Sequence, residues 1–399
     1  MPNSKNNDIK ERLVRHLQIK LSVIGKTSGK TISIPVWFVI AVVLTSLATF
    51  PALHGAQTHD DTSALKKIVV RDGVELHYEE RGDGTPLIFV HGSLSDGSYW
   101  HDQLAPFAQA GFHVIAYSRR YNFPNKNKAR PGYSAVVDAD DLAALIQKLH
   151  LGKVDVVGHS YGALTALFLA VRHPELVRRL VLCEAPAVSL LGHLHGDQSA
   201  LGKETLADIQ ARMVKPMQAA FRKGDGEEGV RVFIGYVMRN PQAWDNMSKA
   251  AHEETLKNVE EWNVMMTTGE LFPNLDPKAV EKIHAPVLLL SGQKSYPFLG
   301  LIDEELARLI PDNRRIILPG ATHQMWFEQP AECRKDVLEF FRGADASAAR
   351  ASASYPDPLF WQFIRSGTGV SDGMLEVTGA FIGGFVGSGR QADAARPGC

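Results

Sequence analysis

The stretch Val154-Asp-Val-Val-Gly-His-Ser-Tyr-Gly162, continued by the apolar run Ala163 to Val171, constrains this chain more than any other. It reads as a short buried strand, an abrupt turn with Ser160 at its tip, and then a helix. The spacing is Gly158-x-Ser160-x-Gly162. Where a strand reverses directly into a helix, the two backbones crowd around the turn, and only residues without a side chain fit there. Such a turn exposes the Ser160 hydroxyl at the carboxyl end of the strand. The free N–H groups of the first helical turn point toward the same spot and favour negative charge developing there. G-x-S-x-G alone is a weak signal. Val154, Val156 and Val157 before it, and the helix-forming run after it, supply the context the motif needs.

Strand–helix alternation surrounds this unit. Lys67–Val70 and Val74–Tyr78 read as two strands joined by a hairpin turn at Asp72-Gly73. Pro86–Val90 is a continuous apolar run, as expected of a strand covered on both faces, and it ends at His91-Gly92-Ser93. A helix over Trp100–Ala110, a strand over His113–Tyr117 and an amphipathic helix over Val136–Leu149 lead to the Ser160 unit. Val177–Cys183 is a further strand, ending at Glu184-Ala-Pro186. From Ala187 to about Ile283 the alternation stops, and a stretch rich in Met, Lys, Glu and Gln reads as several helices. Alternation resumes with a strand at Ala285–Gly292, a helix over Leu301–Ile310 and a strand at Arg315–Leu318. The loop Pro319–His323 and a last helix over roughly Pro330–Arg342 come after it. The fold class predicted is α/β. Residues 66–342 form a mostly parallel central sheet flanked by helices, with a helical cap inserted at about 187–283.

The ends have a different character. Residues 1–31 are polar and basic, and Ile32–Phe50 carries no charge. That run is about nineteen residues, near the roughly twenty that cross a bilayer as a helix. A basic flank keeps the N-terminus in the cytoplasm and sends the downstream chain across. Residues 1–56 therefore read either as a leader with a cleaved signal, Gly55 and Ala56 being small residues at a cut site, or as a leader with an uncleaved membrane anchor. Both readings predict export to the periplasm or the extracellular space. Residues 343–399 are low in complexity and rich in Gly and Ser, and read as a mostly disordered tail. The formal net charge of −1 gives no bulk attraction to nucleic acid. The 15 histidines include no H-E-x-x-H, and no Cys-x-x-Cys occurs, so no metal site and no cofactor are expected.

In a sheet of this kind the functional loops lie at the carboxyl ends of the strands. Ser160 supplies a hydroxyl that becomes a useful nucleophile only when a base removes its proton. His323, in the Gly-containing loop after the last strand, is the best-placed base. Such a histidine needs a carboxylate to fix its tautomer. The usual loop, Ser291-Gly-Gln-Lys-Ser-Tyr-Pro297, contains none, and Ser295 stands where the acid is expected. Glu184, at the end of the strand next after the Ser160 strand, is the preferred acid, with Asp303 as the fallback. Oxyanion donors are expected at the backbone N–H groups of Tyr161 and Ser93, worth roughly 3 kcal/mol each.

These residues carry a resemblance to the α/β-hydrolase superfamily from about Ile68 to Arg342. Its marks are His91-Gly92, the Gly158-x-Ser160-x-Gly162 turn, the terminal Gly320-Ala-Thr-His323 loop and the helical insert between Glu184 and Pro286. The order Ser, acid, His also matches. The loop Ser118-Arg-Arg-Tyr-Asn-Phe-Pro-Asn125 resembles one in a bacterial and fungal branch whose members also lack the late acid and carry a glutamate where Glu184-Ala-Pro186 stands. The resemblance implies a serine hydrolase with a helical cap. The superfamily's haloalkane dehalogenases and epoxide hydrolases use an aspartate nucleophile, so Ser160 argues against both. Methionines and two tryptophans in the cap suggest an apolar pocket for a small or medium hydrophobic ester. Perhydrolase or haloperoxidase-like activity, C–C bond hydrolysis, and a non-catalytic ligand sensor are the rival readings.

Overall fold

Apolar residues at successive positions of each inner strand sort alternately onto two cores, because side chains of a strand point to opposite faces in turn. The computed structural model describes residues 65–343. Within them eight strands form one sheet: β1 (Lys66–Val69), β2 (Glu75–Arg81), β3 (Thr85–Val90), β4 (Phe112–Tyr117), β5 (Val154–His159), β6 (Val177–Cys183), β7 (Val287–Gly292) and β8 (Asn313–Leu318). Their order is β1-β2-β4-β3-β5-β6-β7-β8. β1 pairs antiparallel with β2, and β2 antiparallel with β4. Every other pairing is parallel. Along β3, Leu87 and Phe89 face one core while Ile88 and Val90 face the other; along β7, Leu288 and Leu290 alternate in the same way with Val287 and Leu289.

Helices cover both faces. Helices α2 (Ala135–Lys148) and α3 (Tyr161–Arg172) pack on the first face, through Leu142, Leu145, Leu164 and Leu167. α1 (His101–Gln109) covers the second, around the stacked rings of Phe89 and Trp100 and the edge-on ring of Phe107. Between β6 and β7 the chain forms helices only: α4 (Gln198–Ile209), α5 (Lys215–Arg222), α6 (Gly226–Val237), α7 (Lys249–Leu256), α8 (Glu260–Thr268) and the short α9 (Pro277–Val280). Met217, Trp244, Met265 and Met266 of this insert are buried in the first core. Helices α10 (Pro297–Leu309), α11 (Met325–Glu328) and α12 (Pro330–Phe341) complete the chain described.

Two expectations are adjusted. The β1–β2 connection is a tight helical turn at Arg71–Gly73, longer than a two-residue hairpin, with Asp72 and Gly73 both at positive φ. α10 begins at Pro297 rather than Leu301, since a proline in the first turn gives up an N–H that no carbonyl could accept. The leader, the apolar segment 32–50 and the tail after 343 lie outside the described residues. No helix among the described residues is long and apolar enough to cross a membrane.

The feature that positions the site is the close approach of β5 and α3. A Cβ on Gly158 would sit 2.5 Å from the Gly162 carbonyl oxygen and 2.6 Å from the Ala163 backbone. Both obstacles are main chain and cannot swing aside. Gly158→Ala is therefore expected to lower stability by about 1–3 kcal/mol through overpacking, read as a fall in the urea midpoint at unchanged slope. An unchanged midpoint would show that β5 and α3 can separate freely.

Candidate active site

Ser160 joins β5 to α3 at φ 55° and ψ −124°, a left-handed conformation that a non-glycine residue rarely adopts. Hydrogen bonds hold it there. The Ser160 N–H donates to the Cys183 carbonyl at 2.9 Å, and its own carbonyl accepts from the N–H groups of Ala163 and Leu164 at 2.8 and 3.1 Å. A Cβ on Gly162 would lie 2.2 Å from the Val90 carbonyl oxygen, so glycine is what lets the start of α3 press against the end of β3. Three strand ends, those of β3, β5 and β6, thus meet around one hydroxyl.

Glu184, directly after β6, is fully buried and also adopts positive φ, at 55°. Its Oε1 accepts the Gly292 N–H at 2.7 Å, and its Oε2 accepts the Ser295 hydroxyl at 2.7 Å and pairs with His323 Nδ1. The carboxylate therefore reaches from β6 across the end of β7 to the loop after β8. Gly292 makes the crossing possible: a Cβ there would meet the Thr322 carbonyl oxygen at 2.4 Å. The histidine loop is fixed from two further sides. His159 Nε2–H donates to the His323 carbonyl at 2.8 Å, and Glu328 accepts both the N–H and the hydroxyl of Thr322 at 2.7 Å.

Burial sets the electrostatics. It pushes the His323 imidazole down, to about 4, so the ring is uncharged at neutral pH. Burial pushes the Glu184 carboxyl up, to about 8, and the hydrogen bonds from the Ser295 hydroxyl and the Gly292 N–H, which favour the charged form, offset only part of that rise. With the proton on His323 Nδ1, the carboxylate accepts hydrogen bonds from Gly292, Ser295 and His323, and the opposite ring nitrogen keeps its lone pair.

Ser160, His323, Ser93 and Tyr161 line one cavity of about 110 Å³, and Glu184 sits behind His323. Met213, Phe233, Val237, Trp262 and Leu271 bring the helical insert to its wall. Among the described residues, no Lys, Arg, Asp or Glu lines it. Of the insert's methionines only Met213 reaches the cavity; Met217, Met247, Met265 and Met266 pack the core instead. Asp303, the fallback acid, lies mid-helix in α10 and accepts from the Ser291 hydroxyl, whereas His323 Nδ1 pairs with Glu184.

The partners of three residues were not read from the sequence. Ser295 stands where an acid is expected, and its hydroxyl donates to Glu184. Arg119 and Glu261 form a fully buried ion pair beside the cavity. A signal existed for Glu261: it shares an i, i+4 stripe with buried Met265 on α8, where an unpaired glutamate would be costly.

The sheet order, the Ser160 turn and the acid–histidine pair define an α/β-fold hydrolase. The chain belongs to the alpha/beta hydrolase family, whose model matches residues 87–336. It is 25% identical over 287 residues to the bifunctional esterase/perhydrolase DCH of Acinetobacter calcoaceticus, covering 69% of this chain and 99% of that protein. It is 26% identical over 307 residues to the 2-hydroxy-6-oxo-6-(2'-aminophenyl)hexa-2,4-dienoic acid hydrolase of Metapseudomonas resinovorans, covering 73% and 96%. Among solved structures, the enol-lactonase of Burkholderia xenovorans LB400 shares the fold, with a TM-score of 0.55, 20% identity, and coverage of 69% of this chain and 100% of that one.

Nitrogen-15 NMR of the histidines checks the electrostatics. Burial holds the His323 ring below its ordinary value, so it is expected to keep a protonated Nδ1 and a bare Nε2 at neutral pH and to become cationic only at more acid pH than an ordinary histidine. A midpoint near the ordinary value of about 6.5 would mean that burial does not govern this ring.

Proposed function

We propose that this hydrolase cleaves an uncharged, hydrophobic carboxylic ester of small or medium size through Ser160, His323 and Glu184. The observation that carries this reading is the Glu184–His323 pair, set directly behind the cavity that Ser160 lines. Ser160 Oγ attacks the ester carbonyl carbon while His323 Nε2 takes the hydroxyl proton. Glu184 holds Nδ1–H and stabilises the imidazolium. The N–H groups of Ser93 and Tyr161 receive the oxyanion. Collapse expels the alcohol, which takes its proton from His323. Water then enters, gives a proton to the same nitrogen, and releases the acid and free Ser160.

The cavity wall supports the choice of substrate. A dienoic acid, of the kind named for the Metapseudomonas relative, would bring a carboxylate into a wall without a cationic side chain. An unpaired charge buried there would cost several kcal/mol. An uncharged ester meets no such penalty, and the Acinetobacter relative is named an esterase. Export of the chain, anchored or cleaved, is proposed on the basic leader and uncharged segment 32–50 alone.

Fluorophosphonate labelling and p-nitrophenyl ester turnover test both parts. Labelling is expected to vanish in Ser160→Ala. Turnover is expected to fall roughly 10⁴-fold in Glu184→Gln, which leaves the geometry but supplies the wrong tautomer. p-Nitrophenyl butyrate should be turned over at least about 30-fold more efficiently than the p-nitrophenyl hemisuccinate, whose acyl chain ends in a carboxylate. A folded wild type without labelling would overturn the hydrolytic mechanism, and equal turnover of the two esters would overturn the assignment of an uncharged substrate.

A further inference from the structure

The Gly92–Ser93 peptide is trans, so its carbonyl and its N–H point in opposite directions in one plane. Anchoring the carbonyl therefore aims the N–H. The Gly92 carbonyl is anchored twice: Arg119 Nη2 donates to it at 3.0 Å and His91 Nδ1 donates at 2.8 Å. Arg119 also donates from Nε to the His91 carbonyl at 3.3 Å and from its own backbone N–H to His91 Nε2 at 3.0 Å. On the far side of Ser93, the Leu94 N–H donates to Glu261 Oε1 at 2.6 Å, while Glu261 Oε2 pairs with Arg119 Nη2. Both peptide units that flank Ser93 are thus gripped by one ion pair. Among the described residues, the Ser93 N–H has no protein acceptor. The same guanidinium lies 5.0 Å from the ring centroid of Tyr161, the residue proposed to supply the second N–H.

We propose that Arg119 and Glu261 are positioning residues of the oxyanion hole, a clamp that aims the Ser93 N–H at the reacting carbonyl and makes the hole depend on the seating of α8. The clamp presupposes the acyl-transfer mechanism given above. A cation on the Gly92 carbonyl also polarises the peptide, which makes its N–H a stronger donor. Asp138, which accepts from Arg119 Nη1 at 2.8 Å and from the Tyr133 hydroxyl at 2.8 Å, fixes the guanidinium from behind. Because Glu261 belongs to the helical insert and Arg119 to the loop after β4, the hole is assembled only when insert and sheet domain are joined.

Glu261→Gln and Arg119→Lys test the clamp. The glutamine amide keeps the shape of Glu261 but has one acceptor oxygen, so it cannot accept from both Leu94 and Arg119, and a lysine's single nitrogen cannot replace the three guanidinium nitrogens that reach the His91 carbonyl, Asp138 and the Gly92–Glu261 pair. In folded variants kcat should fall about 10- to 100-fold with KM within about 3-fold, since the loss is confined to the transition state. Inhibition by a trifluoromethyl ketone, which forms an oxyanion on Ser160, should weaken by the same factor as kcat/KM. Binding of an unreactive ether of the same shape should not change. A merely structural role would weaken ketone and ether alike. Wild-type kcat in either folded variant, or a rise in KM alone, overturns the clamp.

Should both variants fail to fold, the wild-type protein decides. In a crystal structure of its fluorophosphonate adduct, the phosphonyl oxygen should lie about 2.7–3.1 Å from the Ser93 nitrogen, with Arg119 still on the Gly92 carbonyl. An oxygen held elsewhere, or a carbonyl turned away from Arg119, overturns it. A wild type that does not react with fluorophosphonate refutes the hydrolytic mechanism itself. A reactive wild type with fully active variants refutes the clamp alone.

Discussion

The buried carboxylate of Glu184 is the interaction on which the site depends. It receives an N–H from the end of β7, a hydroxyl from the loop after that strand, and the imidazole from the loop after β8. A carboxylate taken out of water is costly unless its oxygens are met, and here donors from two separate loops meet them. The sheet must therefore be in register from β6 to β8 for the charge to be tolerated at all. That requirement couples folding to site geometry: a structure that misplaced β7 or β8 would strand a charge in the core.

The compact crossing at the strand ends is steric in origin. Gly158, Gly162 and Gly292 all stand where a Cβ would strike backbone, at 2.5, 2.2 and 2.4 Å. Side chains at these points would push α3 from the sheet, or the histidine loop from β7. Ser160 and Glu184, the two non-glycine residues bent to φ 55° here, hold a conformation that costs of order 1–3 kcal/mol each. The backbone bonds around Ser160 and the hydrogen bonds around Glu184 offset it. Close approaches of this kind occur elsewhere in the fold as well, but these three, with the two bent residues, fall where the side chains must converge.

Much of this was legible in the chain. The run Val154–Val157 before the glycines, the continuous Pro86–Val90 and the break in alternation after Ala187 all arise from one-dimensional patterns of apolar residues, and each corresponds to an observed element. Glu184 was legible because a strand end is a defined place. Ser295 was not, because a hydroxyl in a loop reveals neither its partner nor its direction. Arg119 and Glu261 lie 142 positions apart, and their pairing is fixed by how α8 seats against the loop after β4. Spacing rules reach along one element; they do not reach from a helical insert to a strand end.

The site is thus bracketed by two buried polar networks of opposite construction. Behind His323 lies an anion, Glu184, held mainly by neutral donors. Beside Ser93 lies a cation, Arg119, held by two carboxylates, Asp138 and Glu261. The polarity is the one the proposed acyl transfer would require of each place: negative charge behind a histidine that would become cationic, and a cation behind a peptide whose N–H would receive a developing anion. Glu261 adds a condition of its own. The carboxylate that holds Arg119 comes from the insert that also walls the cavity, through its neighbour Trp262. On the proposed mechanism, a change in how the insert sits would alter the shape of the pocket and the aim of the Ser93 N–H together, so substrate fit and transition-state stabilisation would rest on the same helix.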